Sequence, residues 1–108
     1  MSTKQSTIDY IADQLSGLRD VSTRKMFGEY ALYYKNKVVA LVCDDTLFIK
    51  MTDQGKDFVG DLYKEGQAYP GSKMYMVIDG DQIEDHEWLG ELVQITFDSL
   101  PEPKKKKR

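Results

Sequence analysis

Three stretches of strand-forming sequence follow one another between residues 21 and 51 with almost no chain left over to connect them. Residues 21–34 are rich in β-branched and aromatic side chains and run with a period of two. Lys35-Asn36-Lys37 is a turn, residues 38–43 form a strongly apolar strand, Asp44-Asp45 makes a tight connection, and residues 46–51 form the next strand. A link of two or three residues can only reverse the chain, because a crossover to a parallel neighbour takes a dozen residues or more. The three strands must therefore be neighbours in an antiparallel meander. Gly28 interrupts the first of them, which predicts a bulge or a close backbone approach with positive φ.

Helices flank the meander. Ile8, Ile11, Ala12, Leu15 and Leu18 share one helical face, with Ser6 or Thr7 as N-cap and Gly17 in the last turn, so the first helix spans about residues 6–18. Asp53 offers the N-cap of a second helix over about 54–65, with Phe58, Leu62 and Tyr63 inward and Gly66 ending it. Pro70-Gly71 is a turn before a short strand at 75–79, and Asp79-Gly80-Asp81 turns the chain again. A last helix over about 85–99 buries Trp88, Leu89, Leu92, Val93 and Thr96 or Phe97 before Pro101 and Pro103 stop it. The order α-β-β-β-α-β-α is satisfied by an α+β two-layer sandwich: an antiparallel sheet of four or five strands with helices on one face. The other sheet face is then a candidate surface. Residues 1–100 are expected to be one domain and 101–108 a disordered basic tail.

Charge divides the chain in the same place. The net charge is −3, yet Lys104, Lys105, Lys106, Lys107 and Arg108 carry five of the 15 basic residues. Without them 10 basic residues face 18 acidic ones, a net of −8. The body repels phosphate on average and the tail attracts it. Cys43 is the only cysteine and His86 the only histidine, so neither an internal disulfide nor a histidine metal triad can form within one chain. The sequence contains no apolar run near the roughly 20 residues that span a bilayer, and the N-terminus lacks the apolar core of a secretory signal. The expectation is a cytoplasmic protein.

One segment carries a family signature. Arg24-Lys25-Met26-Phe27-Gly28-Glu29-Tyr30-Ala31-Leu32-Tyr33 resembles the signature strand of the TfoX (Sxy) N-terminal domain family, a basic residue followed by Met-Phe-Gly-Gly-Tyr-Gly-Leu-Tyr. The likeness continues through Val39-Ala40-Leu41-Val42 and Leu47-Phe48-Ile49-Lys50-Met51, and resumes at Met74-Tyr75-Met76-Val77 and Trp88-Leu89. Glu29 and Ala31 depart from it, standing where the family has glycines. The resemblance implies a regulatory domain of the kind found in competence regulators. Full-length members add a second, C-terminal domain, whereas this chain reads as a stand-alone N-terminal domain.

The candidate functional groups each have a plain structural alternative. Arg24, Lys25 and Lys50, if they converge beside Gly28 and Tyr30, make a small cationic patch for a carboxylate or phosphate; otherwise they decorate strand ends and Met26 and Phe27 are core. Tyr30, Tyr33, Tyr34, Tyr69 and Tyr75 suit a partner contact on an open sheet, or are half-buried strand residues. The acids between 79 and 87 lack the spacing of a calcium loop and suit solvated turns and a helix N-terminus. Cys43 reads as a small core residue and His86 as a surface residue. No Walker, dinucleotide or nucleophile-elbow motif is present. These readings point to a non-catalytic regulatory or protein-interaction domain without cofactor or metal, self-associating as a homodimer. The alternatives are weak, non-specific nucleic-acid binding through residues 104–108, and a small anion-binding domain.

Overall fold

The computed structural model describes residues 3–26 and 28–101. Among them the chain forms α1 (Gln5–Gln14), β1 (Val21–Met26), β2 (Glu29–Tyr34), β3 (Lys37–Cys43), β4 (Thr46–Ile49), α2 (Asp53–Val59), β5 (Glu65–Gln67), β6 (Met74–Ile78), α3 (Gly80–Ile83) and α4 (His86–Ser99). The strands make one sheet in the order β1-β2-β3-β4-β6-β5, with every neighbouring pair antiparallel. The expected α+β meander is present.

Several boundaries differ from the sequence reading, each for a local reason. Residues 21–34 are two strands: Met26 pairs with Glu29, and Gly28 (φ +83°) lies in the connection between them, a hairpin rather than a bulge. α1 starts from Lys4, and neither Ser6 nor Thr7 caps it; the Thr7 hydroxyl donates instead to Asp45 Oδ1 at 2.9 Å. Thr52, not Asp53, caps α2, its hydroxyl accepting from Gly55 N at 2.9 Å. That helix stops at Gly60, whose φ of +65° no helical residue adopts, and a 3₁₀ turn follows over Gly60–Leu62. Leu62 consequently points to solvent, 59% exposed, while Phe58 and Tyr63 pack at the core margin. Gly66 sits within the short strand β5, opposite Tyr75, instead of ending a helix. Residues 80–83 form α3, where the sequence suggested only a turn; the Asp79 amide donates to Gln82 Oε1 at 2.8 Å at its start.

α4 begins as expected, with the Asp85 carboxylate accepting from Trp88 N at 3.1 Å. The core lies between one sheet face and α1, α2 and α4. Leu32, Val42, Leu47, Ile49 and Met76 from the strands meet Ile11, Leu15, Leu89, Leu92 and Val93 from the helices, all buried. Truncating a fully buried leucine here, Leu47 or Leu89, to alanine costs about 2–5 kcal/mol through lost transfer energy and the cavity left behind.

Candidate functional site

Side-chain alternation sends the remaining strand residues to the face away from the helices. The register aligns Arg24, Ala31, Leu41, Phe48 and Val77 in one row across β1, β2, β3, β4 and β6. Tyr33 and Val38 stand beside that row as a directly paired set. Cys43, Ala68 and Tyr75 form a small buried cluster of their own, against which Leu41 and Phe48 pack. Leu41, Phe48, Val77, Tyr33 and Val38 remain half-exposed. This face is apolar across its middle.

Its two ends carry opposite charge. At one end Asp44 and Asp45 form the two-residue β3–β4 turn, both with positive φ (52° and 60°), the twist-compatible hairpin geometry that aspartate tolerates. Glu29 Oε1 there accepts from Thr3 Oγ1 at 2.6 Å and from Asp44 N at 3.0 Å. Asp45 Oδ1 accepts from Lys4 N at 2.8 Å and from the Thr7 hydroxyl, which holds its carboxyl below the usual carboxylate range. At the other end Lys50 and Lys73 flank a cleft of about 470 Å³ whose apolar walls are Tyr33, Val38, Leu100 and Pro101. Lys50 is half-buried, and burial, then the neighbouring Lys73 charge, pulls its ammonium below the ordinary lysine value. Among the described residues neither ammonium has an ion-pair or hydrogen-bond partner. Lys37 also lines the cleft, but its Nζ is committed to the carbonyls of Phe97 (2.8 Å) and Leu100 (2.6 Å).

The structure does not bring the residues of the expected cationic patch together. Arg24 is exposed on the open face with its guanidinium 5.8 Å from the Tyr33 ring centroid, whereas Lys25, one residue on, faces the helical side. Lys50 lies three strands from Arg24 and takes Lys73 as its charged neighbour, a residue that sequence reasoning missed. Only the β4–β6 register reveals that pairing, because the two lysines are far apart along the chain. Tyr30 is not on an open surface: it is buried on the helical side and its hydroxyl donates to Gln5 Oε1 at 2.9 Å. Tyr34 is likewise buried and donates to Gln94 Oε1 at 2.8 Å. Tyr75 is buried on the opposite face and Tyr69 is exposed, so of five tyrosines only Tyr33 and Tyr69 are open to a partner. Met26, expected in the core in the plain reading, is 40% exposed. Phe27 and Lys104, Lys105, Lys106, Lys107 and Arg108 lie outside the described residues.

Cys43 and His86 do not meet. Cys43 is buried on the open face, where burial and then the Glu29 charge push its thiol up, away from the reactive thiolate. His86 lies in the first turn of α4, lining a groove between α1 and α4 in the helical layer. Among the described residues no three His, Cys, Asp or Glu side chains group as metal ligands would, and no helix is long and apolar enough to cross a membrane. Asp79 instead pairs with Lys64 at 2.6 Å, and Asp85 serves as the α4 cap.

The chain matches the family model of the TfoX N-terminal domain over residues 13–100. It is also similar to an uncharacterized 12.7 kDa protein in the trpE 5′ region of Spirochaeta aurantia, 38% identical over 107 residues that cover 99% of this chain and 91% of that protein.

Proposed function

The chain belongs to the TfoX N-terminal domain family, and from that footing we propose that it is a non-catalytic interaction domain that pairs with a second copy of itself through the open sheet face. The observation that carries this reading is the half-exposed apolar row Leu41–Phe48–Val77 with Tyr33 and Val38 beside it, with no helix of the described residues over it. Contiguous apolar surface of this kind is normally covered by a partner. The charge pattern favours a copy of the same chain: a two-fold axis perpendicular to the strands lays the Lys50–Lys73 end of one copy over the Glu29–Asp44 end of the other. A regulatory role would act through that contact.

Sedimentation velocity at micromolar concentration tests it. The native chain is expected to dimerise, and Phe48→Lys, which sets a charge in the middle of the row, to sediment as a folded monomer. A native chain that stays monomeric throughout that range removes the proposal.

A further inference from the structure

Lys50 and Lys73 line one cleft at the sheet end, close enough that the charge of one bears on the other. A half-buried ammonium beside a second ammonium is unfavourable twice over, once for lost hydration and once for like-charge repulsion. Both costs are relieved by one dianion held between the two groups. We propose that this cleft binds a small organic phosphate monoester, its phosphate between Lys50 and Lys73 and its carbon body against Tyr33, Val38, Leu100 and Pro101.

The chemistry of the walls selects that class. A phosphate monoester carries about −1.5 to −2 at pH 7, the charge that two ammonium groups neutralise. Both cations are lysines, which bind phosphate as point charges and suit a compact dianion held between them. A cleft of about 470 Å³ falls within the range of small-molecule sites, and its apolar walls reward an ester over the free ion. The site stands on its own geometry. Its regulatory consequence rests on the pairing proposed above: the same two ammonium groups face the acidic end of the second copy, so bound ester and dimer compete.

Amide chemical shifts followed during titration with phenyl phosphate, inorganic phosphate and acetate test the site. Phenyl phosphate is expected to move the signals of Val38, Lys50 and Lys73 and to bind at least tenfold tighter than acetate, with inorganic phosphate between them. Binding should weaken at pH 5, as the ester takes up its second proton near pH 6. Lys50→Gln with Lys73→Gln should weaken it tenfold or more, while Lys25→Gln, on the other face, leaves it unchanged. Shifts centred elsewhere, acetate binding as well as the ester, or undiminished binding by the folded double variant would each overturn the proposal. Sedimentation with and without phenyl phosphate separates the two readings: a chain that is monomeric throughout but shows these shifts keeps the site and loses the pairing.

Discussion

The Lys37 ammonium donates to the backbone carbonyl of Leu100 at 2.6 Å, and to that of Phe97 at 2.8 Å, from a side chain only 6% exposed. A strand residue thus satisfies the Leu100 carbonyl just past α4 and gives the Phe97 carbonyl a second donor beside its long 3.4 Å bond from Leu100 N, where a cation also meets the negative end of the helix dipole. The ammonium stands 4.3 Å from the Phe97 ring centroid as well. Lys37→Met keeps the stem and removes the charge, and is expected to lower the unfolding free energy by about 1.5–3 kcal/mol, the range for hydrogen bonds to a charged group. Urea denaturation measures it. An unchanged midpoint would mean that water replaces the ammonium at no cost.

Gly28 has φ +83° beside the Met26–Glu29 rung that closes the β1–β2 hairpin. A β-branched residue is strained in that region, so Gly28→Val should cost about 1–3 kcal/mol, read from the thermal or urea transition. Tolerance of valine without loss of stability would show that the turn relaxes to negative φ.

How far the sequence reached follows from the strength of each local signal. The meander from 21 to 51 was legible because short connections leave one topology, and Gly28 announced its positive φ although its place in a hairpin was not visible. β5 was invisible: Glu65-Gly66-Gln67 has no alternating apolar residues and is a strand only because β6 offers it a partner. The sequence carries α2 too far because Gly60 and Gly66 are both possible stops, and only the backbone shows the chain turning at Gly60, φ +65°. At the candidate site the structure separates residues that the sequence grouped. Lys25 and Lys50 belong to opposite faces, and Tyr30 and Lys50 to opposite layers, facts set by strand parity that shifted once one long strand became two. Lys73 gave no local signal at all.

The Asp45 carboxylate predicts a specific acid response. Hydrogen bonds from Lys4 N and then from the Thr7 hydroxyl depress its folded pKa below the unfolded value near 3.9. A group depressed in this way contributes stability above the unfolded pKa, lost as pH falls through the folded one. The melting temperature of the native chain should therefore drop more steeply below pH 4 than that of Asp45→Asn, with the two curves running parallel above pH 5. Parallel curves throughout would show that the contact to α1 does not depend on ionisation.

The orientation of the proposed pair can be tested by charge exchange. Asp44→Lys places a cation where the second copy brings Lys50 and Lys73, so it should raise the dimer dissociation constant several-fold at low salt and much less at high salt, where such charges are screened. Combining it with Lys73→Glu should recover most of the loss. Additive weakening by the two changes would exclude the antiparallel stacking while leaving a contact through Phe48 open.

Deleting Lys104, Lys105, Lys106, Lys107 and Arg108 discriminates between self-association and nucleic-acid binding. Five cations displace at most about five counterions, which gives a log–log salt slope near −4 to −5 on duplex DNA and an affinity in the 10⁻⁴–10⁻⁶ M range of non-specific binding. The rest of the chain, with 10 basic and 18 acidic residues, opposes even that. Its longest helix, α4, has no lysine or arginine among its 14 residues and buries Leu89, Leu92, Val93 and Thr96 against the sheet, so it cannot serve as a recognition helix in a major groove. The truncated chain should therefore lose DNA binding in a fluorescence-anisotropy titration and retain its sedimentation behaviour, because the pairing face lies entirely within residues 24–77. Retention of DNA binding with a sequence preference by the truncated chain would place a nucleic-acid site in the folded body, and the open sheet face would then have to be reassigned from a second copy to DNA.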